Sequence, residues 1–101
     1  MKLIFLDVDG TFALPGATEP PESAAEAVRA ARAAGNRVFL CTGRNYAMLA
    51  PFLSLGFDGY IASAGGYVVS GDRVLFDCPM TDNQRDRVLT LLREHGIIRT
   101  V

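Results

Sequence analysis

The chain has 101 residues and a mass of 10.9 kDa, the common size of a single domain. Half of its residues are apolar and 21% are charged, a composition that excludes an intrinsically disordered protein. The 10 Lys and Arg residues nearly balance the 11 Asp and Glu residues, which disfavours electrostatic binding to nucleic acid. No apolar run approaches the roughly 18 residues of a membrane span. We therefore expect neither nucleic acid nor a membrane as a partner.

The two cysteines, Cys41 and Cys78, are too few for a disulfide scaffold. Cys41 ends an apolar run and is expected to be a buried strand residue. The apolar run at residues 3–6 is too short for a signal peptide and leads directly into acidic residues. Reduced thiols and the lack of a secretion signal predict a cytoplasmic protein.

Three short apolar runs predict the strands of the first half of the chain. Runs without alternation are typical of strands buried on both faces in a parallel sheet. The three predicted strands are residues 3–6, 38–41 and 60–62. Between them lie two predicted helices, residues 22–34 with Gly35 at the end, and a segment from about Asn45 to Gly56. This alternation predicts a parallel sheet with right-handed crossovers.

The pattern changes in the second half. Residues 67–69 and 74–76 are apolar segments that flank a turn with glycine, which predicts a β-hairpin. Thr81 and Gln84 have the spacing of a capping box, which opens a helix to His95. We expect the apolar side chains of this helix to face inward, namely Val88, Leu91 and Leu92, and residues 97–98 to begin another strand. The predicted fold class is α/β, a Rossmann-like three-layer parallel sheet with an appended β-hairpin.

Two carboxylates follow directly on the first strand, in the segment Asp7-Val8-Asp9-Gly10-Thr11. Residues two apart in extended chain face the same side, so both carboxylates can point into one site. Open parallel sheets bind ligands at this end of their strands. Oxygen ligands suit Mg2+, and Gly10 lets the backbone turn away sharply. The segment predicts a metal-binding site, with a plain turn after a strand as the alternative.

The segment Thr42-Gly43-Arg44 ends the second strand and precedes a helix. A hydroxyl with free backbone amides at a helix N-terminus suits a phosphate group, and Arg44 can add a forked cationic contact. By itself such a tripeptide is more often a turn with a surface arginine. Its predicted position beside Asp7 on a neighbouring parallel strand favours the phosphate site.

Together these segments resemble the N-terminal part of a haloacid-dehalogenase-like (HAD) phosphatase, in particular the Cof-type sugar-phosphatase branch. The resemblance rests on residues 5–11, 41–44 and 60–69. It implies that Asp7 is the nucleophile that forms an aspartyl-phosphate and that its carboxylate binds Mg2+. Asp9 would protonate the leaving oxygen, then activate water, and ligate the metal through its backbone carbonyl.

The resemblance also implies which groups bind the substrate's phosphoryl oxygens. Thr42 and the Gly43 amide would hold them, and the expected set is completed by Gly10, Thr11 and Arg44. The implied function is a Mg2+-dependent phosphatase of small phosphorylated metabolites resembling sugar phosphates. Two alternatives stay open, namely a phosphomutase of the same superfamily and a non-catalytic fragment that binds phosphate or Mg2+.

The sequence also departs from the family pattern. Ala64-Gly65 stands where the family usually has Asn-Gly, and the one lysine of the chain, Lys2, precedes the first strand. The downstream lysine and acidic pair that the family uses are therefore missing. The resemblance implies a truncated core over residues 1–80 and the beginning of a cap domain over residues 81–101, inactive or nearly so alone. It also implies that the first strand is an open sheet edge that favours self-association.

Overall fold

The computed structural model of the protein describes residues 1–97. Over this range the chain alternates strands and helices and then ends in a hairpin and a helix. In chain order the elements are β1 (Leu3–Leu6), α1 (Glu22–Ala33), β2 (Arg37–Cys41), α2 (Tyr46–Leu53), β3 (Gly59–Ala62), β4 (Tyr67–Ser70), β5 (Arg73–Asp77) and α3 (Asp82–Glu94). A left-handed turn at Ser63–Gly65 joins β3 to β4.

The five strands form one sheet in the order β1-β2-β3-β4-β5. β1, β2 and β3 are parallel, whereas β3, β4 and β5 pair in an antiparallel way. Leu6 pairs with Leu40, and Cys41 pairs with Ile61, so the carboxyl ends of the three parallel strands lie at one edge. The predicted α/β class, a Rossmann-like core with an appended hairpin, is confirmed. Of the three predicted layers, residues 1–97 form two, the sheet and the helices α1 and α2 on one of its faces.

The hydrophobic core lies between one face of the sheet and the first two helices. Val38 and Leu40 alternate along β2 and point to the same face, where both are buried. They share one cluster with Val28 of α1 and with Leu49 and Phe52 of α2. Both helices therefore pack on the same face of the sheet.

The opposite face of the first strands carries exposed apolar side chains. Phe5 of β1 is 54% exposed, and its ring stacks on that of Phe39 in β2 with 5.0 Å between the centroids. Cys41 lies on this face too, two residues from Phe39, and is exposed. The expectation that Cys41 is buried is wrong, because the alternation along β2 turns it away from the helices.

An ion pair joins the end of α1 to the beginning of β3. The Arg32 guanidinium donates through Nε and Nη2 to the Asp58 carboxylate, both at 3.1 Å, and through Nη1 to the Gly56 carbonyl. The Val38 amide donates to the same carboxylate at 2.8 Å. These contacts, led by Arg32, hold the pKa of Asp58 below its usual value. One carboxylate thus links α1, β2 and the approach to β3.

The predicted capping box of the last helix is confirmed. The Gln84 amide donates to Thr81 Oγ1 at 3.1 Å, and the Thr81 amide donates to Gln84 Oε1 at 2.9 Å. The inward orientation expected for its apolar residues is wrong, since Val88 is 40% exposed, Leu91 is 42% exposed and Leu92 is only partly buried. Within residues 1–97, α3 has no buried residue. The strand expected at residues 97–98 falls partly outside the described residues.

None of the helices in the described range is both long enough and apolar enough to cross a membrane.

Candidate active site

Segments that follow three neighbouring parallel strands meet in an open cleft of about 570 Å³. Its lining includes Asp7 and Asp9 after β1, Thr42, Gly43 and Arg44 after β2, and Ser63 and Ala64 after β3. Since β1, β2 and β3 are parallel neighbours, their carboxyl ends bring these segments together. Five of the seven residues that the sequence predicted for the site therefore line one cleft.

The segment after β1 directs both carboxylates outward by anchoring the residue between them. Val8 is fully buried, whereas Asp7 and Asp9 are exposed. The Val8 carbonyl accepts the amides of the next residues in the turn, those of Phe12 and Ala13 among them, at 3.1 and 2.9 Å. Gly10 has a φ of 82°, which lets the chain turn back at this point. Because side-chain direction alternates along the chain, the burial of Val8 places the carboxylates of Asp7 and Asp9 on the same, exposed side.

The other two predicted residues lie apart from the cleft. Gly10 and Thr11 border a separate depression of about 370 Å³ together with Leu14 and Pro21. In this structure their side of the turn faces the loop that leads into α1. Their predicted contact with phosphate stays a prediction.

The carboxylate of Asp7 is largely free. One of its oxygens accepts the Val8 amide at 2.9 Å. Across the described range, no other group is hydrogen-bonded to this side chain. An exposed carboxylate with an uncommitted oxygen can act as a nucleophile or as a metal ligand.

The turn after β2 offers hydrogen-bond donors to the cleft. Thr42 is 5% exposed, and its Oγ1 accepts the Arg44 amide at 3.0 Å. The proton of this hydroxyl stays available, because a threonine hydroxyl both accepts and donates. No acceptor among residues 1–97 bonds the Gly43 amide. Asn45 caps α2 by accepting the Met48 amide at 2.9 Å, which fixes the start of the helix beside these donors.

Arg44 forms a bidentate ion pair with Asp9. Its Nε donates to Asp9 Oδ2 at 2.9 Å, and its Nη2 donates to Oδ1 at 2.6 Å. Nη1 donates to the Ala17 carbonyl at 2.9 Å, and the guanidinium carbon lies 5.1 Å from the centroid of the Phe52 ring. Arg44 is only 8% exposed. The structure therefore places this guanidinium on Asp9, and its predicted role at the substrate remains a prediction.

This pairing sets the charge of Asp9. The hydrogen bonds from Arg44, together with one from the Gly16 amide at 2.8 Å, lower the pKa of Asp9 to about 2. The same contact raises the pKa of Arg44. Asp9 is thus a carboxylate at neutral pH, the form that accepts a proton.

A left-handed segment after β3 forms the third side of the cleft. Ser63 and Ala64 have φ angles of 51° and 53°. The Ser63 amide donates to the Arg44 carbonyl at 2.7 Å, and the Ala64 amide donates to the Thr42 carbonyl at 3.0 Å. Sequence reasoning did not place Ser63 in the site. The available signal was the position of Ala64. The family that the chain resembles usually has asparagine there, a residue that tolerates the left-handed conformation well.

A family model described as haloacid dehalogenase-like hydrolase matches residues 4–101. The chain belongs to this family. YkrA of Bacillus subtilis (strain 168) is 34% identical over 89 residues, which cover 87% of this chain and 34% of YkrA. The recognition of a haloacid dehalogenase-like chain of the Cof type from its motifs is confirmed.

Solved structures of similar proteins have the same fold. A hypothetical protein from Geobacillus kaustophilus HTA426 is 30% identical, with a TM-score of 0.76 over 93% of this chain and 37% of that one. BT4131, described as a sugar phosphatase of HAD subclass IIB, is 29% identical, with a TM-score of 0.72 over 95% of this chain and 38% of that one. This haloacid dehalogenase-like chain thus spans between a third and two fifths of the length of these relatives.

Proposed function

We propose that this haloacid dehalogenase-like chain carries the nucleophile and the phosphoryl-binding groups of a Mg2+-dependent phosphatase of small phosphorylated metabolites. One observation carries the proposal: a free carboxylate (Asp7), a buried hydroxyl (Thr42) and a free amide (Gly43) share one cleft at the ends of adjacent strands. The family supports hydrolysis. The likeness to a sugar phosphatase supports sugar-phosphate-like substrates.

In the proposed reaction the Asp7 carboxylate attacks phosphorus. A bond forms between the carboxylate oxygen and phosphorus while the bond to the leaving oxygen breaks, which gives an aspartyl-phosphate and an alcohol. Water then attacks the phosphorus, and Asp7 and inorganic phosphate are released. A carboxylate nucleophile divides one difficult displacement into two easier ones. Thr42 and Gly43 donate to the phosphoryl oxygens and hold the group beside Asp7.

Asp9 is the proposed acid and base. As a carboxylate it can take the proton of the attacking water in the second step. In the first step it must carry a proton for the leaving oxygen, and the Arg44 pair opposes that protonated form. The proposal therefore requires Arg44 to release Asp9 and to bind the phosphoryl oxygens when substrate binds. A guanidinium group suits this contact because it can donate two parallel hydrogen bonds.

The donor groups of the cleft fit Mg2+. Asp7 offers an uncommitted carboxylate oxygen, and Mg2+ prefers oxygen ligands and retains several waters. Asp7 and the backbone carbonyl of Asp9 would hold it. When bound, the ion supplies positive charge to the phosphoryl oxygens. No group of three or more His, Cys, Asp or Glu side chains suited to a metal occurs within residues 1–97, so water would complete the coordination in this chain.

The chain alone is proposed to have little or no turnover. Arg44 is the one cationic side chain among the residues that line the cleft, and Asp9 already neutralises it. Lys2 lies before β1, whereas Asp7 follows that strand at its other end. Phosphoryl transfer depends on charge neutralisation, and removal of one oriented donor typically lowers turnover by about 10²–10³-fold.

A beryllofluoride titration in MgCl2 tests the proposed nucleophile, because this ion mimics a phosphoryl group on a carboxylate. We expect saturable changes in the amide signal of Gly43, loss of binding in Asp7→Asn, and unchanged binding in Asp72→Asn. Asp72 is a matched control, since it lies in the hairpin turn far along the sheet. Equal binding by wild type and Asp7→Asn would refute the proposal.

The sparse charge of the cleft favours a second candidate, a module that binds phosphate without turnover. The two candidates differ when p-nitrophenyl phosphate is assayed with a longer protein that contains this chain: the phosphatase converts it to inorganic phosphate, whereas the module only binds it. Transfer of the phosphoryl group to a second hydroxyl would instead indicate the phosphomutase.

Three further features belong to this proposal. Residues 1–80 are proposed to form the core and residues 81–101 the beginning of the cap, supported by the lack of buried residues in α3. The exposed edge of β1 is proposed to mediate self-association. The cysteine content supports a cytoplasmic location.

A further inference from the structure

We propose that the Ser63 hydroxyl binds a hydroxyl of the substrate's leaving group and thereby contributes to substrate choice. This inference rests on the proposed function, because it needs a phosphoryl group beside Asp7 and Thr42. It concerns a residue to which the sequence analysis gave no role.

The strand order places Ser63 across the phosphoryl site from the nucleophile. Asp7 follows β1, Thr42 follows β2 and Ser63 follows β3, and all three line the cleft. Neighbouring strands are about 4.8 Å apart, so about twice that separates the strands of Asp7 and Ser63. In phosphoryl transfer the attacking and leaving oxygens are roughly in line. A leaving group that points away from Asp7 across the cleft would extend toward the side that Ser63 forms.

The Ser63 hydroxyl is available while its backbone is fixed. Ser63 is exposed and lines the cleft, and none of residues 1–97 forms a hydrogen bond with its hydroxyl. The amide, by contrast, is bonded to the Arg44 carbonyl, and the Ser63 carbonyl accepts the Gly66 amide at 3.1 Å. Two backbone bonds in a left-handed conformation set the direction of the Cβ atom. A hydroxyl on a fixed backbone favours discrimination between substrates, because little conformational entropy is lost when it binds.

Within the segment after β3, Ser63 has the polar side chain. Ala64 and Gly65 follow it and have no side-chain donor or acceptor. Met48 of α2 lines the same cleft and is 47% exposed, which offers an apolar surface to carbon-bound hydrogens. A leaving group with hydroxyls on a short carbon chain would meet both kinds of contact here.

The test compares two ligands that differ only in hydroxyls, glycerol 1-phosphate and n-propyl phosphate, with inorganic phosphate as reference. Dissociation constants are measured in MgCl2 from the amide signal of Gly43. We expect wild type to bind glycerol 1-phosphate about 2- to 10-fold more tightly than n-propyl phosphate, the range of one neutral hydrogen bond. In Ser63→Ala this ratio falls to about 1, while inorganic phosphate binds as before.

Two more variants separate the hydroxyl from the backbone. Ser63→Gly removes the hydroxyl and relaxes the left-handed conformation, and it should lose the preference as Ser63→Ala does. Ser70→Ala, at the far end of the hairpin strand β4, should keep it. A preference that survives in Ser63→Ala and Ser63→Gly, or that wild type lacks, overturns the inference alone. Absence of any phosphate binding at Gly43 overturns the proposed site together with it.

Discussion

Ser63 and Ala64 are consecutive non-glycine residues in left-handed conformation at the side of the cleft. This conformation costs an L-residue roughly 1–2 kcal/mol. The structure retains it because their two amides satisfy the carbonyls of Arg44 and Thr42. Strain of this kind tends to persist where the surrounding contacts over-determine the backbone. Here those contacts link the end of β3 to the turn that carries the phosphoryl-binding donors.

Replacing Ala64 by glycine should therefore stabilise the protein. Ala64 has φ 53° and ψ 37°, a region that glycine enters without strain. We expect Ala64→Gly to raise the free energy of unfolding by about 1 kcal/mol, which is the strain relieved less the added entropy of the unfolded chain. Urea unfolding followed by circular dichroism measures it.

Ala27→Gly provides the control at an exposed position inside α1. There the same change should lower the free energy of unfolding by about 1 kcal/mol, because glycine is a poor helix former. If both variants lose stability alike, the left-handed strain at Ala64 is not real.

At the scale of elements, the Arg32–Asp58 pair connects helix α1 to the sheet. Its carboxylate also accepts the Val38 amide in β2, so three segments depend on one charge. The Arg32 side chain is 38% exposed and that of Asp58 24%, so solvent screens part of the attraction. The pair nevertheless holds the pKa of Asp58 down, and that shift makes stability depend on pH.

Asp58→Asn should lower the free energy of unfolding at pH 7 by about 1 kcal/mol, the size of a partly exposed charged hydrogen bond. Because the folded-state pKa lies below the unfolded value of about 3.9, the contribution is present above that value and is lost as the pH falls through the lowered pKa. The difference between wild type and Asp58→Asn should thus shrink below about pH 4.

Urea unfolding at pH 7 and at pH 3 measures this difference, with Asp72→Asn in the hairpin turn as the control. That control should match wild type at both values. An equally large loss in Asp58→Asn at both pH values would show that the charge of Asp58 contributes nothing.

Local sequence predicted the elements well where the pattern itself carries the structure. Apolar runs marked β1, β2 and β3, and turn chemistry marked the hairpin and the capping box at Thr81. Burial was harder, because it depends on which element covers a face. Cys41 is exposed since the helices occupy the other face of β2, and α3 has an apolar stripe that the described residues do not bury.

The site was predictable as far as strand ends determine it. Asp7, Asp9, Thr42 and Gly43 line one cleft because parallel neighbours end at one edge. The Arg44–Asp9 pair was not predictable, because its partners are 35 residues apart and their contact depends on the path of both turns. Sequence could suggest a cation near phosphate, but only the fold shows its carboxylate partner.

At the scale of the whole molecule, the sheet has an apolar edge at β1. All four residues of this strand are apolar, and Leu3 is 57% exposed. Beside it lies an apolar groove of about 280 Å³, lined by Ile4, Leu6 and alanine side chains of α1. Natural edge strands usually carry a charge that prevents pairing with another chain. A net charge of −1 adds little repulsion between copies.

Leu3→Lys should therefore weaken the proposed self-association. Sedimentation velocity over a concentration series should show a rising average sedimentation coefficient for wild type and a smaller rise for the variant. The control is Leu75→Lys in β5 at the other edge, where the leucine is 56% exposed. Wild type that stays monomeric throughout, or equal effects of both variants, would contradict association through β1.

The bonds from Ser63 and Ala64 to the preceding turn have a mechanical consequence. β4 and β5 continue directly from this segment, so a tilt of the hairpin would strain the hydrogen bonds to the carbonyls of Thr42 and Arg44. The Arg44 side chain in turn forms an ion pair with Asp9. A force on the hairpin would therefore reach Asp9 through two sets of contacts, first the amides of Ser63 and Ala64 and then the Arg44–Asp9 pair.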